Sequence, residues 1–338
     1  GGLLIVGLFG GYGIRFAKSL SLIEEDAAHR MGKMVRKRNK PIIVHSLYAS
    51  KNTHPIELLR YYNIPVYDSL HVACKCVGVL AQRGAYMNEY HAKVNFVFNW
   101  GAKAKPAGKR IIETAKKEGR SFLLEHEAKA LLKLHGAPVT RDKLATTAEQ
   151  AVKFAEEMNS EVVLKIVSPQ ILHKSDAGGV KLGLRGRDEI IQGFHEIIDN
   201  AKRYNPEADI RGVLVSPMAK PDLEVIIGTK IDDQFGPVIM FGIGGIMVEV
   251  LKDVSFRVLP ISSVSARKMM QEIRSAPILD GVRGTPPYDK KTLRKLLVMC
   301  SELVESYPEI REMDLNPIIV YSQGAKVVDA RILLKEEG

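Results

Sequence analysis

The chain has 338 residues, of which 46% are apolar, and its net charge is +10. This length is more than one ordinary hydrophobic core holds, so two domains are predicted. No run of about 18 apolar residues occurs, so no transmembrane helix is expected. The basic residues are spread along the chain without interleaved aromatic residues, which argues against binding to nucleic acid.

The three cysteines, Cys74, Cys76 and Cys300, form no paired framework and no C-x-x-C motif. Free thiols in a reducing compartment are the expected state of such residues. The sequence therefore predicts a cytoplasmic protein.

The first segment, residues 1–86, alternates between strand and helix patterns. Strands are predicted at 3–9, 41–48 and 64–67, and helices at 24–38, 55–62 and 69–82. This order predicts a parallel sheet with crossover helices. Three strands are few for an independent domain, so the rest of the sheet is expected upstream or in another chain.

A glycine cluster at residues 10–13 follows the first predicted strand. It lacks the third glycine of a dinucleotide-binding fingerprint at the required spacing. The cluster is therefore predicted to form a tight turn and not a nucleotide site.

Residues 87–120 are rich in lysine and are predicted to be a basic linker that ends in a short helix at 111–117. Residues 121–338 form the second predicted domain, with antiparallel hairpins interrupted by helices, an α+β pattern. Its helices are predicted at 123–134, 149–158, 188–201, 264–275 and 290–306. Its strands are predicted at 161–167, 180–184, 212–217, 223–230 and 237–241, with a final hairpin of 317–321 and 326–329.

The loop between the strands at 161–167 and 180–184, with the end of the first strand, holds the residues best suited to phosphate binding and catalysis. Lys165 on the first strand can supply a fixed positive charge to a phosphate, and Gly178 and Gly179 allow backbone N–H groups to approach phosphate oxygens. The loop leads into a strand and not a helix, so it is not a Walker A loop. His173 lies in this polar loop, either as a functional residue or as a solvated histidine.

A second group is acidic. Glu249 follows a glycine-rich turn, Glu312, Asp314 and Asn316 precede the final hairpin, and Asp329 lies on its returning strand. Carboxylate and amide oxygens are ligands that Mg²⁺ prefers. Alternation along a strand places Glu312, Asp314 and Asn316 on one face, where they either share a site or are exposed residues of an edge strand.

A third feature is the sequence from Val215 to Met218, followed by a strand that contains Glu224. A strand, a short connection and a second strand predict a hinge between two subdomains. Adenine occupies such hinges in two-lobed ATP sites, so Val215, Met218 and Glu224 are predicted to bind the nucleotide.

These segments together resemble the NDP-forming acyl-CoA synthetases, also called ADP-forming acetate–CoA ligases, which are relatives of succinyl-CoA synthetase. The segments that carry the resemblance include 125–129, 162–166, 173–180, 235–242 and 314–317. The first 83 residues look like the last part of the family's flavodoxin-like CoA-ligase half. The resemblance implies an α/β chain: a partial flavodoxin-like parallel sheet followed by an α+β ATP-grasp domain of two subdomains.

The resemblance also implies a reaction, acyl-CoA + ADP + phosphate ⇌ carboxylate + CoA + ATP, with Mg²⁺ and a phosphohistidine relay. His173 matches the histidine that exchanges phosphate with the nucleotide, and Asp314 matches the carboxylate that orients it. Asn316 and Asp329 match magnesium ligands of the relatives, and Lys165 matches a lysine that contacts phosphate.

The family's other phosphohistidine motif and its N-terminal CoA-binding domain do not occur in this sequence. The chain is therefore expected to carry the nucleotide half-reaction, with CoA-binding domains upstream or in a partner subunit of a homo- or hetero-oligomer. Three alternatives stay open. They are a regulatory copy of this module in a protein acetyltransferase, an ATP-grasp ligase that passes an acyl phosphate to an amine, and a nucleic-acid-binding protein.

Overall fold

A computed structural model describes residues 2–91, 104–171, 173–245, 248, 250–282 and 284–336. The described residues up to 91 form one compact unit, and those from 104 onward form a second. Among these residues no helix combines the length and apolar character that a membrane span requires. The mixture of a parallel three-stranded sheet with antiparallel sheets confirms the predicted fold class.

The first unit contains a parallel sheet in the order β1–β2–β3. Its strands are β1 Leu3–Gly7, β2 Ile42–Ser46 and β3 Val66–Tyr67, and its helices are α1 Tyr12–Arg15, α2 Leu20–Arg38, α3 His54–Tyr61 and α4 Leu70–His91. The core between sheet and helices includes Ala28, Val44, Leu59 and Ile64. The predicted alternation of strand and helix is confirmed.

The turn after β1 is built around Glu24 of α2, which is buried. Its carboxylate accepts hydrogen bonds from the backbone N–H groups of Gly10, Tyr12 and Gly13. These amides, which would face a phosphate in a dinucleotide fold, already have a partner. The cluster is thus a tight turn, as its spacing predicts.

The second unit begins with α5 Pro106–Lys117, β4 Phe122–Leu123 and α6 Glu125–Leu134. Ile112 and Ala115 of α5 are buried in the core of this unit. We therefore propose that α5 belongs to the second domain; the predicted limits at 86 and 120 remain predictions.

A four-stranded antiparallel sheet follows, in the order β5–β8–β6–β7. Its strands are β5 Lys143–Ala145, β6 Val162–Val167, β7 Val180–Leu184 and β8 Gly212–Pro217. Two helices, α7 Ala148–Met158 and α8 Arg187–Tyr204, cover one face and bury residues such as Leu164, Ile166 and Val215. The other face carries Lys165, and its Val167 and Leu214 pack with Leu124.

The large antiparallel sheet has the order β11–β10–β9–β12–β14–β4, with β13 paired to β12. Its remaining strands are β9 Leu223–Asp232, β10 Gly236–Ile243, β11 Val254–Val258, β12 Ile310–Val320, β13 Ala325–Val327 and β14 Arg331–Leu334. Helices α9 Ser263–Glu272 and α10 Lys290–Ser306 pack against its core.

Four short strands, β4, β5, β11 and β14, were not predicted from the sequence, since segments of two to five residues carry little periodicity. The prediction that a helix begins at Leu123 is wrong. The helix begins at Glu125 because the Glu127 carboxylate accepts the N–H of Leu124 at 2.8 Å, while Leu123 pairs with Ile332 in the sheet.

Candidate active site

A cavity of about 220 Å³ lies where the end of β6 and the following loop meet the large sheet. Asp314 and Asn316 of β12 and Asp329, which precedes β14, line it. Lys174, the residue after His173, lines it from the loop. The structure therefore brings three of the predicted polar residues to one site.

Lys165 lies on the open face of β6, because its neighbours Leu164 and Ile166 point into the helix-covered core. Its Nζ is 2.6 Å from Glu125 Oε1 and 3.1 Å from Asp329 Oδ2. Burial lowers the pKa of Lys165, but the two carboxylates outweigh burial and raise the pKa above its ordinary value. Lys165 is thus a fixed positive charge beside Asp329.

Glu125, at the start of α6, joins three lysines from three parts of the unit. Its carboxylate lies 2.6 Å from Lys165, 3.0 Å from Lys129 and 3.1 Å from Lys174. Burial raises the pKa of Glu125, but the charges of Lys165, Lys129 and Lys174 prevail and lower it to about 2. An ionised, buried carboxylate therefore ties the loop to β6 and α6.

Sequence reasoning did not assign a site role to Glu125. Its i,i+4 spacing to Lys129 is readable as a helical ion pair. Its partners Lys165 and Lys174 lie 40 and 49 positions further on, and no local pattern joins them to it.

His173 lies in the loop with an exposed side chain. Within the described part of the chain no hydrogen bond joins its ring to Asp314. Its neighbour Lys174 reaches into the cavity and pairs with Glu125, so the loop is anchored next to the histidine. His173 itself does not line the cavity, so its link to the site in this structure is its chain neighbour Lys174.

Gly178 and Gly179 close the loop. The N–H of Gly178 donates to the Ser175 carbonyl at 3.0 Å, and that of Gly179 to the Lys174 carbonyl at 2.8 Å. A Cβ at Gly179 would lie 2.5 Å from Cγ2 of Ile166. In this structure both amides therefore serve the loop itself, and the predicted phosphate contacts would require other partners for these carbonyls.

Asp314 is half-buried on β12, opposite Arg331 of β14 in the antiparallel register. Burial raises the pKa of Asp314, and the negative charges of Glu312 and Asp329 raise it further, while Arg331 partly offsets them. Asp314 therefore takes up a proton at higher pH than an ordinary aspartate.

Asn316 and Asp329 present amide and carboxylate oxygens to the cavity. Oδ1 of Asp329 accepts the N–H of Ala330, and Oδ2 pairs with Lys165. Such hard oxygen donors fit Mg²⁺, which takes few protein ligands and completes its shell with phosphate and water. The described residues hold no cluster of three histidine, cysteine or acidic side chains at metal-binding distance. Glu249, the third predicted ligand, lies outside the described residues.

The predicted hinge residues do not line this cavity. The Val215 side chain is in the helix-covered core, the Met218 N–H donates to the Glu161 carbonyl at 2.8 Å, and Glu224 is exposed on β9. Glu224 shares a face of the large sheet with Gly228, which pairs with Asp314. The hinge from β8 to β9 thus connects the two sheets, and adenine binding there stays a prediction.

Comparison with known proteins identifies the domain family of the second unit. The sequence profile of the ATP-grasp domain matches residues 114–334, which defines the second unit as an ATP-grasp domain. The beta subunit of acetate–CoA ligase [ADP-forming] II from Pyrococcus furiosus is 51% identical over 229 residues, 67% of this chain and 97% of that subunit.

Two further relatives extend the match. The 4-hydroxybutyrate–CoA ligase [ADP-forming] of Nitrosopumilus maritimus is 39% identical over 302 residues, 88% of this chain but only 43% of that longer protein. Among solved structures, acetyl-coenzyme A synthetase 1 of Ca. Korarchaeum cryptofilum has a TM-score of 0.60 and 45% identity. The match covers 68% of this chain and all of that one. That structure holds coenzyme A and Mg-AMPPCP, with a phosphohistidine segment pointing towards the nucleotide-binding site.

The chain belongs to the family of ADP-forming acid–CoA ligases, the NDP-forming acyl-CoA synthetases. The resemblance stated from the sequence is thereby confirmed.

Proposed function

We propose that this chain carries the nucleotide half-reaction of an ADP-forming acyl-CoA synthetase, with His173 as the phosphoryl carrier. The observation that supports this most strongly is the single cavity shared by Asp314, Asn316, Asp329 and Lys174. It combines carboxylates, an amide and a lysine beside a histidine, as phosphoryl transfer requires.

The proposed step is a direct displacement. A neutral imidazole nitrogen of His173 attacks the γ-phosphorus of ATP, the bond to the bridging oxygen breaks, and ADP leaves with the electron pair. The other ring nitrogen of the phosphohistidine keeps its proton. This N–H is proposed to donate a hydrogen bond to the Asp314 carboxylate, which fixes the ring tautomer. The reverse step returns the phosphoryl group to ADP.

Lys165 is proposed to bind a nucleotide phosphate, with Glu125 and Asp329 holding its charge in place. Asn316 and Asp329 would hold Mg²⁺, which neutralises phosphate charge when it is bound. Val215, Met218 and Glu224 remain proposed contacts of the adenosine, and Gly178 and Gly179 of the phosphates.

The acyl and CoA half of the reaction is proposed to lie in further domains or in a partner subunit. Two observations favour this. The related Pyrococcus protein is named as a beta subunit, and this chain spans 43% of the longer Nitrosopumilus relative. The complete enzyme is therefore proposed to be a homo- or hetero-oligomer with a site for CoA and a carboxylic acid. Its proposed location is the cytoplasm, as expected from the free thiols.

The test is phosphoryl labelling. Incubation with γ-labelled ATP and Mg²⁺ is expected to give an acid-labile, base-stable label that His173→Ala removes. Label that persists in the His173→Ala variant would show that His173 is not the phosphoryl carrier. In Asp314→Ala, labelling is expected to slow while ADP affinity is retained; unchanged labelling would show that Asp314 is not the orienting carboxylate.

A further inference from the structure

Two cations line the cavity, Lys174 and Arg331, and they differ in their partners. Lys174 is paired with Glu125 at 3.1 Å. The guanidinium of Arg331 makes no hydrogen bond or ion pair with any residue that the structure describes, although Asp314 lies across the sheet. A positive charge without a protein partner is therefore held at the cavity.

The side chain of Arg331 is exposed, and the backbone fixes the face of the sheet from which it leaves. Arg331 is the first residue of β14 and is the register partner of Asp314 on β12, so both side chains leave the same face of the large sheet. Asp329, two residues earlier, binds Lys165 at 3.1 Å. Arg331 thus lines the same cavity as Asp314, the carboxylate predicted to orient His173, and as the predicted magnesium ligands Asn316 and Asp329.

We propose that Arg331 is a catalytic residue that contacts the phosphoryl group during its transfer between the nucleotide and His173. This inference rests on the proposed function. In the transfer, the Pγ–O bond to ADP breaks, the N–P bond to His173 forms, and negative charge is spread over three phosphoryl oxygens. A guanidinium presents two parallel N–H donors to such oxygens and stays protonated throughout.

The structure explains why Arg331 and not Lys174 has this role. Lys174 is committed to Glu125 and anchors the loop, whereas Arg331 can move its charge onto the substrate without breaking an ion pair within the described residues. Asp314 leaves the same face of the sheet and is the register partner of Arg331.

The experiment compares single-turnover labelling of His173 from γ-labelled ATP with equilibrium affinity for ADP, which lacks the transferred group. Arg331→Ala is expected to slow labelling about a hundredfold or more, as removal of a transition-state donor does. Its affinity for ADP should stay within about threefold of the parent. Arg331→Lys should recover part of the rate, because it keeps the charge but loses the fork. Arg311→Ala is the matched control, since Arg311 is an exposed arginine of β12 that does not line the cavity.

Labelling of Arg331→Ala at the parental rate would overturn the inference while leaving the relay intact. An equal loss in labelling rate and ADP affinity would also overturn it, because Arg331 would then bind the ground state only. If the alanine variant does not fold, Arg331→Lys must still label more slowly than the parent with ADP affinity retained. If the His173→Ala variant is labelled to the same extent as the parent protein, the proposed function itself is rejected.

Discussion

Three lysine ammonium groups converge on the carboxylate of Glu125, a side chain that is 2% exposed. Charges this deeply buried are stable only when they are paired, and removal of one partner is costly. Glu125 therefore organises the site: it lines the cavity and pairs with Lys165 and Lys174. The site depends on it through Lys165 and Lys174.

Glu125→Gln is expected to lower the free energy of unfolding at neutral pH by about 3 kcal/mol, because it leaves buried lysines undercompensated. Urea unfolding measures this, with Glu156→Gln of α7, an exposed glutamate, as the control. The control should change stability by less than about 0.5 kcal/mol. Equal stability of the two variants would contradict the proposed network.

The same residue predicts a pH dependence of stability. Glu125 has a folded pKa of about 2 against an ordinary value of 4.5. A depressed pKa means that the stabilisation is present above pH 4.5 and is lost as the pH falls towards 2. The stability difference between the parent and Glu125→Gln should therefore shrink over this range. A difference that is constant from neutral pH down to pH 2 would contradict it.

The pKa of Asp314 is shifted in the opposite direction, because burial and the negative charges of Glu312 and Asp329 raise it. If labelling of His173 needs the ionised carboxylate, the acid limb of its pH–rate profile reflects this raised pKa. Glu312→Gln removes one negative neighbour and should move that limb to lower pH. An unmoved limb would show that another group controls labelling.

At the residue scale, alternation along β12 predicted part of the placement, although the strand has a register shift between Leu315 and Ile318. Glu312, Asp314 and Asn316 were expected on one face of a strand; Asp314 and Asn316 line the cavity, and Glu312 does not. Glu125 and Arg331 were not assigned, because their importance depends on which distant residues the fold brings beside them. Burial and pairing are not visible in a local pattern.

At the scale of elements, the decisive feature is the loop from β6 to β7. It turns tightly enough that Gly179 lies against Ile166, while Gly178 has a positive φ of 59°. The sequence predicted the loop, its length and the flanking strands, although β6 and β7 pair with a register shift and Gly183 of β7 has a positive φ of 69°. It did not predict that the loop uses its own glycine amides for internal hydrogen bonds.

Gly179→Ala is expected to destabilise the protein by about 1–3 kcal/mol, because its Cβ would meet Ile166 and the Lys174 carbonyl. It should also slow His173 labelling by displacing Lys174 from Glu125. Gly78→Ala of α4 is the control. Its Cβ would meet no atom within 4 Å, so a small gain in stability is expected. A Gly179→Ala variant with parental stability and labelling would show that the loop is looser than described.

At the scale of the whole molecule, the chain consists of two units with separate cores. The β-α-β-α-β pattern and the later antiparallel pattern distinguish them in the sequence. Order within the large sheet was not readable, since β14 and β4 pair with strands far away in the chain. The buried contacts of α5 also depend on residues of the later core. Because α5 lies in a lysine-rich segment, the sequence alone did not indicate that one of its faces is buried.

A fragment of residues 104–338 is expected to fold alone and to gain thermal stability from Mg-ADP, because it contains the whole ATP-grasp match at 114–334 and a Pyrococcus beta subunit is matched over 97% of its own length. Thermal unfolding with and without ligand measures this. A fragment of residues 122–338 is the comparison. It lacks Ile112 and Ala115, and should be less stable by about 2–4 kcal/mol from lost apolar burial alone. Absence of a cooperative transition in the longer fragment would contradict the independence of the unit.

The role of His173 as a reversible phosphoryl carrier is tested most directly by one measurement. The protein is labelled with γ-labelled ATP and Mg²⁺, freed of nucleotide, mapped by mass spectrometry, and then chased with unlabelled ADP. A labelled phosphoryl group is expected on His173, and ADP should remove it as labelled ATP. A label on another residue, or a His173 label that ADP does not recover as ATP, would contradict this role.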